Sequence, residues 1–122
     1  MLKRILIVDD ASVVRLKLKD ILQGYNYEII AEAADGNQAI EMYQQFHPDL
    51  VTMDITMPHK DGIEALGEIL AIDKNAKVIM VTALDQRESL MKAIKLGAVD
   101  YIIKPFEDDR VVSAVSKALA VS

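Results

Sequence analysis

Cysteine is absent from the chain, and with it go disulfide bonds, thiolate catalysis and any zinc site built on sulfur. Positive charge is scarce: 14 Lys and Arg stand against 19 Asp and Glu, a formal net charge of -5, so no direct nucleic-acid binding is expected. Long apolar runs are missing too. None approaches the roughly 18 residues that cross a bilayer, and the short run after Lys3 and Arg4 is too brief for a signal-peptide core. A cytoplasmic protein without membrane insertion is therefore expected. Linkers, low-complexity stretches and internal repeats are also lacking, so residues 1–122 read as a single domain.

What is present is a set of short, β-branched apolar runs, each closed by a polar group. Leu50-Val51-Thr52-Met53 ends on Asp54, Ile5-Leu6-Ile7-Val8 on Asp9-Asp10, Val78-Ile79-Met80-Val81 on Thr82, and Tyr101-Ile102-Ile103 on Lys104-Pro105. Such runs suit parallel strands buried on both faces, whose C-terminal ends share one edge. Three acids, a hydroxyl and an amine would then meet. Three crowded carboxylates repel one another unless they share a cation.

Helical patterns separate the runs. Ser12 is expected to cap a helix with Val14, Leu18, Ile21 and Leu22 inward and Arg15, Lys17 and Lys19 on the wet face. A weaker strand, Glu28 to Ala33, precedes a helix opened by Asp35-Gly36 with an Ala39, Met42, Tyr43, Phe46 stripe. Pro58 to Gly62 form a loop before a helix carrying Ile63, Leu66, Ile69 and Leu70. Gln86 to Leu96 reads as a fourth helix with Leu90, Ala93 and Ile94 inward and Gly97 as its left-handed cap. Glu107, Asp108 and Asp109 open a fifth, with Val111, Val115, Ala118 and Leu119 inward. Five strands alternating with five helices predict a doubly wound α/β domain with ligands at the carboxyl edge of its parallel sheet.

Asp9-Asp10, Asp54 with Met57-Pro58 and Asp61-Gly62, Thr82-Ala83, Tyr101 and Lys104-Pro105 occur in an order that resembles the response-regulator receiver domains of two-component signalling, of the CheY-like kind. The resemblance spans essentially the whole chain. It implies the flavodoxin-like strand order 2-1-3-4-5, for which CheY is a standard example. It also implies that Asp54 accepts a phosphoryl group from a sensor histidine kinase or phosphotransfer protein. Mg²⁺ would be held by Asp10 and Asp54, by Asp9 through water and by the backbone carbonyl of Thr56. Lys104 and Thr82 would contact phosphoryl oxygens, and a cis Lys104–Pro105 bond is implied. Such a chain is a phosphate receiver and not an enzyme in the ordinary sense.

The resemblance further implies that phosphate draws Thr82 toward Asp54 and that Tyr101 turns inward. The face of the fourth helix, fifth strand and fifth helix would change, with Met91, Lys95 and Lys117 as partner contacts. A motor switch protein, a phosphatase or another effector would read that face. A monomer that can dimerise on phosphorylation is implied, as is a place in chemotaxis or, alternatively, in a larger transcriptional regulator. Thr56 and Leu84 hold positions that influence phosphate lifetime, and apolar Leu84 suggests slow loss. His47 and His59 read as an ordinary helix end and a loop residue. A Mg²⁺-dependent phosphatase with an Asp nucleophile is disfavoured because Thr56 stands where a second acid belongs. An FMN carrier is disfavoured by the acidic first loop.

Overall fold

The computed structural model describes residues 1–120; the last two positions of the expected 1–122 domain lie outside the described residues. Five strands, β1 (Arg4–Val8), β2 (Glu28–Ala33), β3 (Leu50–Met53), β4 (Val78–Ala83) and β5 (Asp100–Lys104), form one sheet. Every pairing is parallel, in the order β2-β1-β3-β4-β5. Five helices alternate with them: α1 (Ser12–Gly24), α2 (Gly36–Phe46), α3 (Gly62–Ile72), α4 (Arg87–Leu96) and α5 (Asp108–Ala120). A 3₁₀ turn, Leu84–Gln86, precedes α4. The expected α/β architecture and strand order are thus observed.

Strand alternation splits the core into two layers. Leu6, Val8, Val51, Met53, Val78 and Met80 face α2, α3 and α4, while Ile5, Ile7, Leu50, Ile79, Val81 and Ile102 face α1 and α5. Burial on both sides explains why the central strands are apolar nearly throughout. Edge strand β2 is only partly buried, in keeping with its acid-flanked sequence, and its register against β1 shifts between Ile5 and Leu6.

Helix ends follow local chemistry with one correction. Asp35 and Asp61 cap α2 and α3 by accepting the amides of Gln38 and Glu64, each at 2.9 Å. Ser12, expected to cap α1, is instead its first residue; Ala11 occupies the cap position without a side-chain bond. The helix begins one residue earlier than that reading allows, and Asp9 Oδ1 accepts the amide of Ala11 at 2.9 Å. Gly97 ends α4 at φ 130, in the conformation expected of it. Ile94, expected inward, remains 38% exposed beside a surface groove, and Ala114 joins Val111 and Val115 in the buried stripe of α5.

Candidate functional site

Parity and register bring the functional side chains together. Asp9 continues the Ile5, Ile7 face of β1, Asp54 the Leu50, Thr52 face of β3, and Lys104 the Ile102 face of β5. Val8 pairs with Met53, so Asp9 and Asp54 leave adjacent strand ends side by side. The ladder extends one step past both strands, with the Asp54 amide donating to Val8 at 2.9 Å and the Asp9 amide to Ala33 at 3.0 Å. β4 lies between β3 and β5, so Lys104 and the two carboxylates reach toward one another from either side of it.

Lys104 Nζ donates to Asp9 Oδ2 at 2.7 Å and lies 3.5 Å from Asp54 Oδ1. With Ala11 on its other oxygen, Asp9 is 1% exposed and bonded at both oxygens. Asp54 is buried as well, and its Oδ1 accepts the Ile55 amide at 2.9 Å. Asp10 is exposed at the rim. Carboxylate oxygens of Asp9, Asp10 and Asp54 lie within 4.8 Å of one another.

Three carboxylates facing one ammonium leave the cluster short of positive charge. Burial, and then the charge of Asp9, push the Asp54 carboxyl up to about 6 from its ordinary 3.8, and Lys104 and the Ile55 amide offset this only in part. Hard oxygen donors lacking a matching cation are the donor set that a hard divalent ion takes, so the residues fit such a metal.

Thr82, at the end of β4, is buried, and its hydroxyl has no hydrogen-bond partner among the described residues. A second such hydroxyl, Thr52, lies in the interior of β3. Thr56 sits exposed in the loop after Asp54. That loop is pinned at two close approaches. A Cβ on Gly62 would stand 2.0 Å from the Asp54 carbonyl oxygen, and one on Gly36 would stand 2.5 Å from that of Lys60, which accepts the Gly36 amide at 2.9 Å. The packing thus requires glycine where α2 and α3 touch the loop. The Lys60 ammonium also pairs with Glu68.

Tyr101 faces outward, 43% exposed, with the Arg110 guanidinium 5.6 Å from its ring centre and hydrogen-bonded to its carbonyl. It borders a groove of about 280 Å³ that Leu84, Leu90, Met91, Ile94 and Ile103 also line. Lys95 and Lys117 are exposed on α4 and α5. The Lys104–Pro105 bond is cis, as expected. His47 terminates α2 in a left-handed conformation, the helix-end role expected of it, and its carbonyl accepts from Arg4; His59 is an exposed loop residue.

The wet-face assignment of the α1 bases holds for Lys17, which is exposed, and needs correction for Arg15 and Lys19, which are half-buried. Arg15 donates to Glu32 and to the Asp9 carbonyl, Lys19 approaches Glu32 at 3.6 Å, and Lys17 donates to the Phe106 carbonyl. A helical wheel gives direction but not the reach of a long side chain. The available signal was Glu32, an acid on the strand beside β1.

The family model described as "Response regulator receiver domain" matches residues 5–116. The chain is 54% identical over 116 residues to "Protein CcdB" of Bacillus subtilis, covering 95% of this chain and 97% of that protein. It is 53% identical over 119 residues to "Chemotaxis protein CheY" of the same organism, covering 98% and 99%. Among solved structures it resembles the CheX–CheY–BeF3–Mg²⁺ complex from Borrelia burgdorferi, with a TM-score of 0.90, 38% identity and coverage of 94% and 87%.

Proposed function

Because this chain belongs to the response regulator receiver domain family, we propose that Asp54 accepts a phosphoryl group and that the phosphorylated form alters partner binding at the α4–β5–α5 face. The donor is a phosphohistidine on a sensor kinase or phosphotransfer protein. A carboxylate oxygen of Asp54 attacks phosphorus, the N–P bond breaks with its electron pair going to the imidazole, and an aspartyl phosphate results. Donor and acceptor are both anionic, so the approach needs positive charge in a fixed place. Lys104, already 3.5 Å from Asp54, supplies it to the phosphoryl oxygens.

Mg²⁺ is the cation we assign to Asp9, Asp10 and Asp54, with the Thr56 carbonyl as a further donor; when bound it neutralises carboxylate and phosphoryl charge. The BeF3 and Mg²⁺ of the Borrelia CheY complex support this choice. Thr82 donates its unpartnered hydroxyl to the phosphate. The apolar groove beside Tyr101 is the surface that changes; Met91 contacts the partner at the groove, and Lys95 and Lys117, exposed on α4 and α5, contact it elsewhere on the same face. Receiver domains act between a kinase or phosphotransfer protein and a downstream target, and they are signalling proteins and not conventional enzymes. Chemotaxis, in the cytoplasm, is the pathway we favour, supported by the CheY relative at 53% identity.

The observation that carries this reading is a buried carboxylate, raised to about 6, beside a fixed ammonium at the strand edge. Incubation with acetyl phosphate and Mg²⁺, followed by intact mass, tests it. One phosphoryl group on the wild type and none on Asp54→Asn is expected; equal labelling of both would reassign the acceptor.

A further inference from the structure

Helix α1 gives no side chain to the acidic cluster, yet two of its bases are bonded to the two loops that hold the Asp9–Lys104 pair. Arg15 Nη1 donates to the Asp9 carbonyl at 2.6 Å, while Nε donates to Glu32 Oε1 at 3.1 Å. One guanidinium therefore ties the end of β1 to β2. On the opposite flank, Lys17 Nζ donates to the Phe106 carbonyl at 3.2 Å and lies 4.8 Å from the centre of its ring. Residues two apart on a helix diverge by about 200°, so one base reaches the β2 side and the other the β5–α5 loop.

We propose that Arg15 and Lys17 are positioning residues that hold Asp9 and Lys104 in register for phosphorylation of Asp54. The proposal rests on the reading of Asp54 as the phosphoacceptor. Glu32 holds one side of the Arg15 guanidinium, with Lys19 at 3.6 Å from the same carboxylate, and the other side gives the site geometry by holding the Asp9 carbonyl. Its planar fork can serve two acceptors in fixed directions, as a simple ammonium cannot. Phe106 is buried two residues beyond Lys104, and fixing its carbonyl and ring fixes the turn that aims the lysine. The two arms meet in the 2.7 Å contact between Lys104 and Asp9.

The test measures phosphorylation by acetyl phosphate and Mg²⁺ in the wild type, Arg15→Met, Lys17→Met and Lys17→Arg, reading the saturating rate and the half-saturating concentration separately. Each Met variant is expected to lose about tenfold in saturating rate, with half-saturation changed by less than about twofold, as misplaced catalytic groups require. Lys17→Arg, which keeps a cation able to meet the same carbonyl and ring, should recover most of the rate. Rates within about twofold of wild type in both Met variants, or a Lys17→Arg as slow as Lys17→Met, overturn the proposal. In the unphosphorylated proteins, the ¹³Cε–¹Hε resonances of Lys104 should shift in both Met variants and return in Lys17→Arg; unmoved resonances likewise overturn it. A wild type that takes no phosphate on Asp54 defeats the phosphoacceptor reading instead, and the resonances then judge the positioning by themselves.

Discussion

Lys104 stands closer to Asp9 than to Asp54, 2.7 Å against 3.5 Å, so the proposed nucleophile holds the weaker share of the ammonium at the site. That division leaves Asp54 buried and undercompensated, which is why its carboxyl is raised and not lowered.

A stability consequence follows from the sign of that shift. A carboxyl raised to about 6 when folded binds its proton more tightly than in the unfolded chain. Its contribution is therefore most favourable below pH ~3.8 and is lost as pH rises through about 6. At pH 7.5 without metal, Asp54→Asn should be more stable than wild type by about 1–3 kcal/mol, and the difference should vanish near pH 4. Urea melts across that range check this; an equally or less stable variant at pH 7.5 contradicts it.

Mg²⁺ should reverse the order. Added at millimolar concentration, it is expected to raise the melting temperature of the wild type, while chelation with EDTA removes the gain. Asp54→Asn and Asp10→Asn should respond less, since each removes a carboxylate from the cluster. Identical responses in all three proteins would place the ion elsewhere.

Lys104→Met should leave Asp9, 1% exposed, without its cation. The ammonium is itself 23% exposed, so water softens the loss, and about 1–3 kcal/mol of destabilisation is expected. Phosphate incorporation should fall by about 100-fold or more, because the charge facing the donor is gone. Full incorporation in this variant would show that Lys104 does not act on the phosphoryl group.

The two unpartnered hydroxyls make a matched pair. Thr52→Val and Thr82→Val each remove a buried hydroxyl that bonds to nothing among the described residues, so each should leave stability unchanged or raise it by about 1 kcal/mol. Only Thr82→Val should alter the partner affinity of the phosphorylated form, measured by titration against the output partner. Equal effects of both changes would deny Thr82 a special role.

Gly62→Ala sets a β-carbon against the Asp54 carbonyl, with backbone on both sides of the clash. A loss of about 2–3 kcal/mol is expected in a denaturant melt. A variant as stable as wild type would mean that the loop yields more readily than its packing implies.

Much of this was legible in the chain because apolar runs ended on polar groups. Val8 before Asp9, Met53 before Asp54 and Ile103 before Lys104 fixed the strand ends, and alternation put the three charges on one face. What escaped depended on distance and not on pattern. Spacing made Ile94 an inward residue, but the groove beside it leaves it exposed. Ser12 had the chemistry of a cap, yet the helix already includes it and the cap position falls on Ala11. The contacts of half-buried Arg15 and exposed Lys17 were missed because periodicity describes where a Cβ points and not what a guanidinium or ammonium touches four or five bonds later. The contact of outward-facing Tyr101 with Arg110, a residue on the following helix, likewise escaped the pattern.

Lys104 and Tyr101 belong to the same short strand, and every residue of that strand is paired in register with β4. A tug on the ammonium by newly arrived charge would therefore be transmitted as displacement of a stiff lever, one end at the chemistry and the other at the groove. The backbone of an outer strand thus joins the chemistry to the groove, alongside the Thr82 hydroxyl.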